Sequence, residues 1–333
     1  MPADAGFNIF DLELSVTLKY KKIISTLLVF VVAVLTGFTI AKIYLDGNAG
    51  AAGSDKTLAE LVEDESTILA LYNDSQNKDV SEFSAMELWQ IAEYNLSVVD
   101  YFKKEMIGSA ISANQKLNIK SLREKKNGTI TYEKLSPSVK AMGLIDTPKI
   151  ATQMVFNLTT KITTVATGDF VKEGPTAEDL EVDFAAPSLT YDAASYESLF
   201  KALPNQMVMP YIISSKTCTE DNFSAVQDKG DGTYYFEITL KGHELLRDAA
   251  LYYTEEICYS CGYASPSITW DNVTIKVTVD SSFRFKTVSY LENYTLFSPD
   301  PAMVIGKSAV VDDFTENFVY GDEATNSSFG EVT

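Results

Sequence analysis

The sequence predicts an α+β protein: a large, mostly antiparallel, curved β-sheet with helices packed on one face, preceded by one transmembrane helix. Three observations predict this class. An apolar run near the N-terminus is long enough to cross a bilayer, a helix-capping signature precedes an amphipathic segment, and several long segments alternate between apolar and polar residues. Helices and antiparallel strands in separate stretches of chain are typical of α+β domains.

The apolar run comes first in the chain. Ile23–Ala41 contains 19 residues without a charge, and the run reaches Leu45 if Lys42 extends to the interface. About 20 helical residues cross a hydrocarbon core of roughly 30 Å. Three lysines at positions 19–22 precede the run, which predicts a cytoplasmic N-terminus. We therefore expect a single-pass cell-membrane protein that contacts the lipid bilayer through Ile23–Leu45 and has its C-terminal domain extracellular.

A cleaved signal peptide is the alternative interpretation of the same run. Ala49-Gly50-Ala51 resembles a cleavage site, but the run exceeds the roughly 7–15 apolar residues of a signal core. An uncleaved anchor is favoured. The predicted organisation is a cytoplasmic segment (1–22), a transmembrane helix (23–45), a juxtamembrane linker and helix (46–83), an extracytoplasmic α+β domain (84–320) and a polar C-terminal tail (321–333).

The charge balance excludes some functions. The 333 residues hold 27 Lys and Arg against 46 Asp and Glu, a formal net charge of −19, so nucleic acid is not expected as a partner. A single histidine, His243, excludes a metal site or a proton relay built on two imidazoles. Hydrophobic residues make up 46% of the chain, which is enough to form a folded core.

Helical periodicity appears in four places. The clearest is a helix over about Ala85–Val99, because Ser84 and Glu87 form a capping-box pair immediately before an apolar stripe. Apolar residues recur at helical spacing in the other three stretches as well. The predicted helices are therefore Thr57–Tyr72, Ala85–Val99, about Ser195–Ala202 and about His243–Ile257.

Period-two alternation predicts the strands. One long half-buried strand is expected over Ile150–Ile162. Asn127-Gly128, Asp231-Gly232 and Asp280-Ser281-Ser282 predict tight turns. The strands next to those turns are Thr129–Leu135, Tyr234–Leu240, Val273–Val279 and Phe283–Leu296. The acidic stretch Thr167–Ser188 is expected to be an irregular excursion.

Two family resemblances follow from these elements. The capped helix at Met86–Asn95, the long strands through Ile162 and the hairpin Val273–Leu296 resemble the LolA-like half-barrel family of envelope lipid and lipoprotein carriers. This resemblance implies an apolar ligand, such as an acyl chain, held between a curved sheet and helices. Phe10-Asp11-Leu12, Lys21-Lys22 and the apolar span are similar to Wzz-type polysaccharide chain-length determinants, which implies a role in surface-polymer assembly.

The three cysteines form the sharpest local motif. Cys258 and Cys261 are in a C-x-x-C spacing at the end of a predicted helix, and Cys218 lies apart. A structural disulfide is favoured outside the cytosol. Unpaired thiols, a zinc site completed by His243, and a redox pair are the alternatives, although a helix C-terminus disfavours the thiolate that redox exchange needs.

The remaining motifs favour plain structural interpretations. Eight Asn-x-Ser/Thr triplets could be glycosylation sites, but a polar strand face produces the same pattern and is preferred. His243 is expected to be a surface residue at a helix start, and the acidic residues 178–183 are expected to be a solvated loop rather than a calcium site. No catalytic motif and no cofactor motif occurs, so the protein is not expected to be an enzyme.

The functional expectation is therefore a membrane-anchored, extracytoplasmic, non-enzymatic protein that binds a lipid or another hydrophobic envelope ligand. The motivating feature is a set of strands with one apolar and one polar face, because the apolar face has to be covered by a partner. The alternative is a cell-surface scaffold or adhesion module, or an accessory protein in surface-polysaccharide assembly, acting as a homo-oligomer.

Overall fold

The computed structural model describes residues 53–112, 115–137, 140–141, 145–146, 149–173, 179–261, 268–297 and 307–321, which belong to one compact unit, Ala49–Thr333. The predicted cytoplasmic segment and transmembrane helix, and residues 322–333 of the predicted tail, lie outside the described residues. Within the described part of the chain, no helix is both long enough and apolar enough to cross a membrane.

The helices begin and end near capping residues. In α3 the Ser84 hydroxyl accepts from the Glu87 N–H at 3.3 Å, and the Glu87 carboxylate accepts from the Ser84 N–H at 2.8 Å, which confirms the predicted capping box. The described α-helices are α1 (Leu58–Leu61), α2 (Glu65–Ser75), α3 (Ala85–Val98), α4 (Ala193–Phe200), α5 (His243–Ala249) and α6 (Leu251–Cys261).

The strands are β1 (Phe102–Ser112), β2 (Gln115–Lys126), β3 (Thr129–Ser136), β4 (Lys140–Ala141), β5 (Ile145–Asp146), β6 (Ile150–Asn157), β7 (Thr163–Lys172), β8 (Glu181–Phe184), β9 (Leu189–Tyr191), β10 (Gln227–Asp228), β11 (Thr233–Lys241), β12 (Ile268–Asp280), β13 (Phe285–Phe297) and β14 (Lys307–Tyr320). The main sheet has the order β10-β11-β12-β13-β14-β1-β2-β3-β6-β7-β8, with β9 beside β7, and β4 pairs with β5. Every pairing is antiparallel, so the predicted α+β class with a large antiparallel curved sheet is confirmed.

The predicted single strand over Ile150–Ile162 is wrong, because the chain turns at Asn157. The Asn157 side-chain oxygen accepts from the N–H groups of Thr159 and Thr160, both at 2.9 Å, and Lys161 adopts a positive φ of 58°. The result is a β6–β7 hairpin. Apolar alternation continues through the turn by coincidence, so periodicity alone does not reveal the reversal.

Two predicted helices are each divided in two. Thr57–Tyr72 breaks where Val62 is extended and Asp64 starts α2. His243–Ile257 breaks at Ala250, which has φ −100° and ψ 29°. The Thr167–Ser188 stretch is also more regular than predicted, because β7 continues to Lys172 and pairs with β8; residues 174–178 lie outside the described part.

The main core lies between α3, α5, α6 and one face of the sheet. On β12 the inward residues Val273, Ile275, Val277 and Val279 are fully buried, which confirms the predicted alternation. Trp89 of α3 packs edge-on against Phe285 of β13, with ring centroids 5.1 Å apart. β1 and β14 approach closely at Gly108, where an added Cβ would lie 2.2 Å from the Phe314 Cβ.

Candidate functional site

A cavity of about 580 Å³ lies among the irregular segment 205–214 and helices α1, α2, α3, α4 and α6. Its described lining contains no strand residue. The apolar part of the lining consists of Leu58, Ala59, Val62, Ile68, Val208, Ile212 and Ile213, and Tyr94 and Tyr252 add aromatic surface. A volume in this range, roughly 300–1,000 Å³, is typical of sites for small molecules.

Helix α3 contributes the polar part of the wall. Gln90, Glu93, Tyr94 and Ser97 follow one another at i, i+3, i+4 and i+7, so they share one face of the helix, and all four line the cavity. The neighbouring face of α3 carries core residues such as Trp89. The capping box that fixes the start of α3 therefore also fixes which residues reach the cavity.

The opposite wall is held by a clamp between α1–α2 and the chain after residue 213. The Ser214 hydroxyl donates to the Leu61 carbonyl oxygen, and the Ser215 N–H donates to the Glu63 carboxylate at 3.0 Å. Lys216 pairs with Asp64 at 2.9 Å. Burial acts to raise the pKa of Glu63, but the hydrogen bonds from Ser215 and Asp64 and the charge of Lys216 together outweigh it, so this pKa lies below its usual value.

The sheet and helix α6 hold the 205–214 segment in place. The carbonyl oxygens of residues 207 and 208 accept hydrogen bonds from Arg123 of β2 and Lys104 of β1, and that of residue 209 accepts one from Tyr252 of α6. The Lys104 contact measures 2.6 Å, and Lys104 also pairs with Glu316 at 2.7 Å. Irregular backbone that is buried needs such donors, so these charged side chains fix the cavity wall in place.

Glu93 is the carboxyl group of the α3 wall. Its Oε2 accepts from the Trp89 indole N–H at 3.2 Å. Burial raises the pKa of Glu93 to about 7, while the Trp89 hydrogen bond and the charge of Lys104 act in the opposite direction. Glu93 is therefore present in both protonation states near neutral pH. A perturbed carboxyl group in a cavity is typical of functional sites.

Asn205 supplies an acceptor without a donor. Its Oδ1 is buried and has no hydrogen-bond partner among the described residues, and Asn205 lines the cavity. An unsatisfied buried polar atom costs about 1–3 kcal/mol.

The expected ligand site, the concave face of the sheet, is filled by protein side chains in the described residues. Where β13 faces β14, the cross-strand carboxyls Glu292 and Asp312 are buried, and Tyr211 and Tyr294 donate to them at 2.6 and 2.8 Å. Burial, and then the charge of Asp312, raises the pKa of Glu292 well above its usual value, and burial raises that of Asp312 to about 6.

The predicted cysteine sites are only partly described. Cys258 is buried in α6, and Cys218 is buried beside Thr217, where burial raises the pKa of its thiol to about 11. Cys261 ends α6, and its side chain lies outside the described residues, so the disulfide among these cysteines stays a prediction. Among the described side chains no group of three His, Cys, Asp or Glu could hold a metal ion.

His243 begins α5, as predicted, but it is half-buried, and its Nδ1 accepts from the Trp270 N–H at 3.3 Å. Asn95, in one of the eight glycosylation triplets, is buried and donates its amide to the Phe283 carbonyl oxygen at 2.7 Å. Neither residue lines the cavity. Sequence reasoning missed Glu93 and Asn205, because a polar stripe on a helix resembles an ordinary solvent-facing surface.

No protein-family model matches the sequence, and no curated protein matches it. Among solved structures, the chain is similar to a DUF1329 family protein from Desulfovibrio piger, with 11% identity, 79% of this chain and 95% of that chain covered, and a TM-score of 0.17. A second similar structure is an N-terminal dehydratase from the difficidin assembly line, with 12% identity, 72% and 84% coverage, and a TM-score of 0.14. At such TM-scores neither similarity indicates a function.

Proposed function

We propose that this chain is a membrane-anchored extracytoplasmic protein that binds a lipid or another hydrophobic envelope ligand without catalysing a reaction. The supporting observation is the cavity of about 580 Å³ with mainly apolar walls. The anchor is Ile23–Leu45, with the N-terminus cytoplasmic and the domain outside. Binding is assigned to this cavity rather than to the concave face of the sheet, which the protein's own side chains occupy.

The rim of the cavity supports a hydrophobic occupant. Val62 is 37% exposed and lines the cavity, and Leu58 and Ile68 beside it are half-buried. These three side chains leave apolar surface open to water. A ligand with an apolar body would cover that surface, and its burial contributes roughly 25 cal/mol per Å².

Photolabelling of the full chain tests the proposal. The protein is reconstituted in phosphatidylcholine nanodiscs and exposed to a neutral alkyl alcohol that carries a diazirine, and the labelled peptides are located by mass spectrometry. We expect labels within residues 57–68 and 205–214, which form two of the cavity walls.

A pair of matched variants assigns the labels to the cavity. Ala59 and Ala70 are both exposed helical alanines, but Ala59 lines the cavity and Ala70 is not part of the described lining. Ala59→Trp should reduce cavity labelling several-fold, whereas Ala70→Trp should leave it unchanged. Equal labelling of the two variants, or no label at these peptides, contradicts the proposal.

A further inference from the structure

The charges around the cavity are unequal. Its described lining includes three acids, Glu63, Glu93 and Glu197, against one base, Lys201. Lys201 and Glu197 are exposed, whereas Glu63 and Glu93 are half-buried. The deeper part of the lining is therefore acidic. Its carboxylates attract a positively charged group more strongly than surface carboxylates do, because water is partly excluded there.

Several hydrogen-bond donors of the lining are already used within the protein. The donating groups are the hydroxyls of Thr57, Ser97, Ser214 and Tyr252 and the Gln90 amide N–H; their acceptors are Glu60, the Tyr94 carbonyl, the Leu61 carbonyl, the Met209 carbonyl and Glu63 respectively. The other donor side chains of the described lining are Tyr94, Lys201, Asn205 and Gln206, of which Lys201 and Gln206 are exposed.

An acceptor remains available at Glu93. The Trp89 N–H occupies Oε2, and a carboxylate can accept at both of its oxygens. An occupant that donates a hydrogen bond would therefore satisfy an oxygen that has no donor among the described residues.

We infer that the ligand of this cavity is an amphiphile with a positively charged, hydrogen-bond-donating amine headgroup, which Glu93 receives while the apolar walls hold its chain. This inference rests on the proposed function. An ammonium group has three donors and no acceptor, which complements this lining. A fatty acid or a phosphate headgroup would place its negative charge against three carboxyl groups and a single base.

Two photoactivatable probes of equal chain length test the headgroup. Both carry the same diazirine, and one ends in a primary ammonium and the other in a carboxylate. With the full chain in zwitterionic phosphatidylcholine nanodiscs at pH 8, we expect half-maximal labelling of residues 57–68 and 205–214 at about tenfold lower concentration of the ammonium probe. The neutral alcohol probe measures cavity occupancy independently of charge.

Variants assign the preference to the acidic lining. Glu93→Gln should abolish most of the preference for the ammonium probe over the carboxylate probe. Glu197→Gln, at an exposed position of the lining, should reduce the preference by a smaller factor. Glu65→Gln, on an exposed position of α2 away from the described lining, is the control and should change neither the preference nor the labelling by the neutral probe.

The outcomes separate this inference from the proposed function. Labelling of the cavity by the neutral probe with no preference for the ammonium probe, or with a preference for the carboxylate probe, overturns the inference and leaves the proposed function standing. A preference that survives Glu93→Gln also overturns it. Failure of all three probes to label the cavity overturns the proposed function itself.

Discussion

The two sides of the 205–214 segment differ in how their polar groups are satisfied. On the sheet side, Arg123 and Lys104 donate to its carbonyl oxygens, and Lys104 in turn pairs with Glu316. On the cavity side, Asn205 retains an acceptor that no described donor reaches. The carbonyl oxygens that face the sheet are therefore satisfied, although Arg123 Nε has no partner among the described residues, whereas the cavity side keeps an acceptor without a donor.

The sheet side shows how a charged side chain can be buried beneath this segment. Buried charges are costly unless they are paired and hydrogen-bonded. Lys104 meets both conditions, because it binds Glu316 and the Val208 carbonyl at once. Its role is structural: it fixes the wall against which a ligand would lie.

The largest expected effect concerns the face of helix α3 that packs into the core. Trp89→Ala removes a fully buried indole that packs against Phe285, so we expect it to lower the free energy of unfolding by about 3–5 kcal/mol. Gln90→Ala, at the next residue but facing the cavity, should cost under about 1.5 kcal/mol, since it loses one long hydrogen bond to Glu63. Urea denaturation followed by far-UV circular dichroism measures both. Equal losses would contradict the division of α3 into two faces.

A second effect concerns the carboxyl pair on β13 and β14. Burial raises the pKa of Asp312 to about 6, above an unfolded value near 4, so folding favours the protonated form. The stability that this carboxyl contributes is fully present below about pH 4 and is lost as the pH rises through about 6. Asp312→Asn should therefore raise the free energy of unfolding by about 1–3 kcal/mol at pH 8 and change it little at pH 4.

The control for this effect is Asp313→Asn, at the adjacent, exposed position of β14. It removes the same formal charge from a chain of net charge −19 but does not change a buried group. Urea denaturation at pH 4, 6 and 8 compares the two variants. If Asp313→Asn stabilised the protein at pH 8 as much as Asp312→Asn, general charge repulsion would account for the result.

Local signals in the sequence predicted the local structure. Ser84 and Glu87 located the start of α3, because a capping box is complete within four residues. Asn127-Gly128 located a tight turn, where both residues have positive φ, and alternation located β12. Each of these signals depends on neighbouring residues in the chain, which the sequence displays directly.

The cavity could not be predicted in the same way, because tertiary contacts create it. The polar stripe that includes Gln90 and Glu93 resembles a solvated helix face until the 205–214 segment covers part of it. Likewise, the acidic residues Asp312 and Glu316 suggest that one face of β14 is exposed to solvent. Both are in fact buried against partners from other parts of the chain. Their donors, Tyr294 and Lys104, are separated from them by 18 or more residues.

The smallest expected effect is the pH dependence of binding at Glu93, on the cavity side. Because burial raises the pKa of Glu93 to about 7, its ionised fraction grows between pH 6 and pH 8, and binding of the ammonium probe should tighten several-fold over that interval. The other titratable groups around Glu93 are Glu63, Tyr94, Glu197, Lys201 and Tyr252 in the lining and Lys104 on the sheet side. Photolabelling at pH 6, 7 and 8 measures the change, with Glu93→Gln as the variant that should remove it. A profile that is equally steep in the variant would assign the titration to one of those neighbours, and a flat profile in the unmodified protein would mean that Glu93 does not meet the charged headgroup.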